Sequence, residues 1–455
     1  MPNPPAAWPP RTHLLLHDEL HARPALAVQR PGVVSYWVHW GMEPAAAEAA
    51  LATACAACGS APPPTGVRQH LLQGPGFALK YERHGEFVSF QANRPLPDPG
   101  EHCDDRRLKS MLHEARALDA LPSAFATALQ AKGAGQMLAA THVVIVRCQH
   151  EQLLPRTRAL MSSRLGLQGL ADDSTPLVGS WIADGKAAVL TDLRLADDGF
   201  TRLVLLDFGL PEDQAAREAQ RLCEIEAYRM LAMLGFPLAQ AQAQALSGIE
   251  QALQQAVDRL ANGDSSDDAE AFDTLTRLAA EVEHSAARSR YRFSATRAYH
   301  QIVQRRLADL REARLGGMQT LSGFLARRFA PAMALCDSTD ARLTDVADRI
   351  NRAVSLAKVR VETQREATNQ KLLSALAHRQ KLQLRLQQTV EGLSVVAISY
   401  YLLGLVGYLA KAAASLPTPA RWSWPPELVV GVAALPVVAG VGWFMRSLRR
   451  HLAQD

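Results

Sequence analysis

Residues 392–410 read GLSVVAISYYLLGLVGYLA and residues 428–445 read LVVGVAALPVVAGVGWFM, and neither stretch holds a charge. A helix that crosses a bilayer needs about 20 mainly apolar residues, so each is long enough. Together they predict a two-helix transmembrane hairpin over 391–446, with spans near 392–410 and 428–445. Trp422, Trp424 and Trp443 lie at the segment ends, where amphipathic rings favour the headgroup zone. Pro436 falls inside the second span, where a neighbouring helix can satisfy the carbonyl it frees.

The flanking charge sets an orientation. Lys371, Arg379, Lys381 and Arg385 precede the first span, with no acid between Lys371 and Val390. Arg446, Arg449 and Arg450 follow the second, in a basic tail over 447–455, whereas the connecting segment 411–427 has only Lys411 and Arg421 as bases. Positive-inside bias then places both termini in the cytosol. The lipid bilayer is the first expected partner.

Upstream, Leu343, Val346, Ile350, Val354, Ala357 and Val361 step at three- and four-residue spacing, which makes one apolar stripe. No breaker separates that stripe from the first span. A single helix of about 75 residues, 337–411, would reach roughly 110 Å at 1.5 Å per residue. Such a helix needs partners along its length, either the helices before it or copies of itself in a coiled coil. The region 211–390 is therefore expected to be an all-α stalk.

Before Pro211 the pattern changes. Strands are expected at 34–41, 68–73, 142–148, 178–184, 187–193 and 200–208, with a hairpin over 77–92 turning at His84-Gly85. Asp184-Gly185 and Asp198-Gly199 supply tight-turn signals, and helices are expected near 43–57 and 120–131. The range 17–210 reads as a cytosolic α+β or α/β domain behind a proline-rich leader, 1–16, that has no secretory h-region.

Charge and cysteine usage narrow the partners. The net charge is +4, too small on its own to imply a polyanion. Seven acids against Arg277 fill 264–283, and eight arginines fill 288–314, so the two stretches are expected to be helices that face each other, within or between subunits, rather than nucleic acid. The six cysteines read as reduced thiols. Cys55-Ala-Ala-Cys58 sits at the end of an alanine-rich helix, where the dipole opposes thiolate formation. No phosphate-binding glycine loop, no GxSxG elbow and no cofactor motif is present.

The octet HDELHARP, 17–24, poses its own problem. HDEL is a retention signal only at a C-terminus. His17 and His21 are candidate metal ligands at zinc-helix spacing, but Asp18 stands where a zinc protease has glutamate, and Pro24 shortens any helix. Glu19 and Arg23 are four apart and can pair, so a short structural turn ending at Pro24 is expected. An enzyme using Glu19, His21 and Arg23 is the chemical alternative.

The blocks ELHARP (19–24), RRLADLREARLGGMQTLSGFLARRFAPA (305–332) and QLRLQQTVEGLSVVAISYYLLGLVGYLAK (383–411) resemble a bacterial family of uncharacterised membrane-anchored proteins. That resemblance spans nearly the whole chain and implies an inner-membrane location, without an activity. In layout the chain is also similar to CorA-type metal-ion channels: sheet domain, long helix into the first span, short loop, second span, basic tail. Their Gly-Met-Asn is replaced here by Gly407-Tyr408-Leu409. The resemblance implies a homo-oligomer conducting a small ion, with Ser399, Tyr400, Tyr401 and Tyr408 as lining groups and Gly404 and Gly407 at close helix contacts. The competing expectation is a non-conducting, membrane-tethered scaffold or regulator.

Overall fold

The computed structural model describes residues 16–17, 25–98, 105–148, 154–160, 177–262, 268–415 and 424–452. The chain divides into two compact units, one of residues 1–261 with 273–354, the other of 262–272 with 355–455.

The first unit is built on a nine-stranded sheet. Its strands are β1 (Gly32–Trp40), β2 (Gln69–Gly74), β3 (Phe77–Arg83), β4 (Phe87–Pro95), β5 (Gln136–Arg147), β6 (Val178–Ile182), β7 (Ala187–Leu195), β8 (Thr201–Asp207) and β9 (Ala313–Arg314). They lie in the order β2-β3-β4-β1-β5-β8-β7-β6-β9. Only β5 and β8, near the middle, pair in parallel. Every strand expected before Pro211 has its counterpart, and in the expected turns Asp184, Gly185 and Gly199 adopt positive φ.

Both faces of the sheet are covered, which explains its near-continuous apolar strands. Val33, Trp37, Val144 and Val204 face one core together with α1 (Pro44–Ala57), α2 (Asp105–Glu114) and α3 (Ser123–Ala128). Val34, Val38, Val143, Ile145 and Leu205 face a second core. There they meet α4 (Glu212–Met233), α6 (Asp268–Asp309), α7 (Leu321–Arg328) and the start of α8 (Ala330–Ala414). Helix α5 (Gly235–Asn262) packs alongside α6 and α8: Gln242 donates to the Ser285 carbonyl and Arg342 pairs with Glu250 at 2.8 Å. The stripe expected at Leu343, Val346, Ile350 and Ala357 is buried.

Three expectations about the helical region need correction. Within the chain, the acidic and arginine-rich stretches do not form two separate helices; 268–283 and 288–306 follow one another on α6, because His284-Ser285-Ala286-Ala287 contains no breaker. The arginines reach acids elsewhere: Arg297 pairs with Asp337 and Asp340, and Arg311 with Asp184. Strands do not end at Pro211 either, since β9 adds to the sheet edge beside β6. Gly316-Gly317 lies in the turn after β9, with Gly316 at a φ of 56°, and not within a helix.

The second unit contains the rest of α8 and the final helix, α9 (Pro426–Leu452). Pro331 is the second residue of α8, where the missing N–H is one the helix leaves unpaired anyway. From Glu362 to Val390 every residue is exposed. Two helices, α8 and α9, are long and apolar enough to cross a membrane, and only 6% of each apolar window is buried by the chain itself.

Candidate functional site

A cleft of about 900 Å³ opens at one end of the sheet. The strand ends that meet there are Gln73 and Phe77 at the β2–β3 turn, Asn93 and Arg94 closing β4, and Arg147 closing β5. The segment 25–30, which leads into β1, and the first turn of α4 complete the wall. Buried Asn93 fixes that segment by donating to the carbonyls of Leu26 and Ala27 at 3.3 and 3.1 Å. Four guanidinium groups line the cleft, from Arg30, Arg94, Arg147 and Arg217, against the carboxylates of Glu212 and Asp213.

A second polar cluster sits inside the sheet. Ser35 on β1, His142 on β5 and Arg202 on β8 are register partners across three neighbouring strands. Ser35 Oγ lies 2.7 Å from His142 Nδ1 and accepts the Ala117 amide at 2.8 Å. His142 Nε2 approaches Asp198 at 3.5 Å, and Asp198 also takes Arg202 at 2.6 Å and Arg116 at 3.2 Å. The residue types are those of a hydrolytic triad. Ser35 and His142 are fully buried, however, and neither lines the cleft; the group ties three neighbouring strands together.

Burial drives the His142 imidazole down to about 4, with the Arg202 charge adding to it and Asp198 opposing. Burial alone would raise the Asp198 carboxyl; the contacts from His142 and Arg202 outweigh it and hold that group well below the usual range. His39, buried beside Ala134, is lowered too. An unfolded histidine protonates near 6.5 while folded His142 resists until about 4. Stability therefore falls as pH drops through that window, by about 3 kcal/mol from His142. Among the described residues, the carboxylates of Glu86 and Asp198 are also depressed, so their contributions are lost as well, from about pH 5 downward for Glu86 and at lower pH for Asp198. Thermal midpoints measured from pH 7 to 4 should decline, and His142→Gln should flatten the slope; an unchanged slope would remove His142 from this role.

At the β3–β4 turn, Glu86 joins the hairpin to α6. It accepts from Arg292, from Tyr299 Oη at 2.7 Å and from Trp40 Nε1 at 3.4 Å. The Arg292 guanidinium also lies 5.9 Å from the centre of the Trp40 ring.

Cys55 is buried and its Sγ lies 3.6 Å from His70 Nε2; burial raises the thiol. That agrees with the inert reading of the CxxC. Among the described residues no group of three or more His, Cys, Asp or Glu side chains is placed to hold a metal.

The family model described as "Protein of unknown function (DUF3422)" matches residues 8–452. The chain belongs to that family. No curated protein and no solved structure matches it. In this DUF3422 member Glu19, His21, Arg23 and Pro24 lie outside the described residues, and His17 is exposed. In the hairpin, Ser399 is 4% exposed and Gly407 packs against α9, where an added Cβ would meet Val430 at 3.3 Å. Tyr400, Tyr401 and Tyr408 are 74–76% exposed on the outside of the helix pair, and Gly404 faces open space. The structure thus splits both sets of candidates, parting Ser399 from the tyrosines and Gly407 from Gly404. Sequence reasoning missed the cleft and the His142 cluster. The only signals were the polar residues inside apolar runs, His142 in THVVIV and Arg202 in TRLVLL.

Proposed function

We propose that the protein is a homo-oligomeric, non-conducting scaffold or regulator, tethered to a bacterial inner membrane by its hairpin with the sheet domain on the cytosolic side. The observation that carries this reading is the make-up of the two spans. They hold no charged or amide side chain, and the first-span tyrosines point away from the second helix, where interfacial anchoring suits them. An ion path would need such groups gathered round an axis.

Self-association rests on the bare part of α8. Val361, Leu372, Leu382 and Leu386 recur at spacings that keep to one helical side, and Leu372, Leu382 and Leu386 are each more than half exposed. An apolar strip of that length on a soluble helix marks an interface. Copies anchored in one membrane enter it in the same direction, so a second copy of this stalk is the partner that fits, in parallel. Arg365 and Arg379 interrupt the strip; at a seam they set register at some loss of stability.

The test is to purify the full chain in detergent, determine its mass corrected for bound detergent, and then measure cation flux in liposomes. More than one copy, with flux no higher than in empty liposomes, is the expected result. A monomer would overturn the stalk pairing, and flux above the empty control would restore the CorA-like reading.

A further inference from the structure

Arg30 lines the cleft with a side chain that is 7% exposed. Its Nη1 bonds to Asp207 at 2.6 Å and to the Leu210 carbonyl at 2.7 Å. Asp207 is itself locked, its other oxygen accepting the amides of Gly209 and Leu210. The guanidinium carries five N–H donors, and this arrangement uses only those on Nη1. Among the described residues Nε has no acceptor, and the nearest acid to Nη2 is the exposed Glu212 at 4.0 Å. One edge of a rigidly held, nine-tenths-buried guanidinium is therefore unsatisfied, on a residue that lines the cleft.

Arg147 and Arg217 line the same cleft, both exposed, and neither has an ion-pair partner among the described residues. The helix α4 also begins there, with Pro211 as a cap that supplies no side-chain hydrogen bond. Unmet donors and free positive charge converge on one volume. Its size, about 900 Å³, lies within the range of small-molecule sites.

We propose that this cleft binds a small soluble anion through a carboxylate or phosphate group, gripped by the free edge of Arg30 and neutralised by Arg147 and Arg217. A guanidinium edge matches the two oxygens of such a group in parallel hydrogen bonds, which an ammonium cannot reproduce. Glu212 and Asp213 on the rim work against anything large and polyanionic, so the fit is to one small group. The binding site is independent of the tether and of the oligomer, and its test uses neither mass nor flux.

Calorimetric titration of the detergent-purified full chain with orthophosphate, pyrophosphate and citrate, at matched ionic strength, reads the site directly. Saturable binding of at least one probe is expected, and which one binds separates phosphate from carboxylate. The double variant Arg147→Ala/Arg217→Ala should bind at least tenfold more weakly at an unchanged thermal midpoint, since neither side chain holds the fold. Arg30→Lys keeps the charge but loses the paired donors, and should weaken binding by a similar factor. No heat beyond that of sodium chloride for any probe, or parent-like affinity in the double variant, would overturn the proposal.

Discussion

Asp198→Ala is expected to destabilise the sheet domain by about 3–5 kcal/mol, the range found when one partner of a buried ion pair is removed. The substitution deletes little volume, so the effect comes from what it strands. Arg202, the second residue of β8, is 2% exposed on its side chain and donates Nε to the His113 carbonyl at 3.2 Å. Arg116 and His142 lose the same acceptor. The loss should appear as a lower thermal midpoint of the full chain. The doubly altered Asp198→Leu/Arg202→Met should recover part of it, because an apolar pair leaves no buried charge behind. A midpoint for Asp198→Ala within a degree of the parent would show that water reaches Arg202 and that the cluster is not a closed one.

This cluster also shows where sequence reading stops. Strands are legible because a period of two or an apolar run is a local pattern, and β5 and β8 stand out as VVIV and LVLL. That Ser35, His142 and Arg202 share one row across β1, β5 and β8 depends on strand order and register, which no local pattern encodes. The cleft is hidden for the same reason. Its arginines come from positions 30, 94, 147 and 217, on elements whose meeting at one sheet end is decided by topology. The two long apolar helices, by contrast, are legible from composition alone, since length and apolarity are what a membrane-crossing helix needs and no particular packing is required. The β9 pairing was invisible because two residues, Ala313 and Arg314, carry no periodicity. That the acidic and basic stretches share one helix is not legible from charge, because a change of charge sign does not by itself end a helix.

The arginine-rich half of α6 makes a final separation possible, since its members differ in surroundings more than in chemistry. Arg297 reaches Asp337 and Asp340 at 3.1 and 3.0 Å but is 45% exposed, and pairs of that kind contribute about 0–1 kcal/mol. Arg292 and Glu86 are 14% and 10% exposed, under Trp40 and beside Tyr299. Glu86→Ala removes the acceptor for three donors at once, leaving a desolvated guanidinium, a phenol and an indole N–H, so a loss of about 3 kcal/mol is expected. Glu86→Gln keeps one oxygen, for Tyr299, but turns its NH2 toward the Trp40 indole N–H and gives up the charge, so its loss should lie between zero and that of Glu86→Ala. Because Glu86 belongs to the β3–β4 turn, the effect should be local first. Amide exchange should quicken in α6 around 290–300 and at the β3–β4 turn before it does in the central strands. Arg297→Ala should leave both exchange and midpoint nearly unchanged. Equal losses for Glu86→Ala and Arg297→Ala would mean that burial is not what distinguishes these arginines, and that α6 is held to the sheet by its apolar side, Phe293 and Val303, alone.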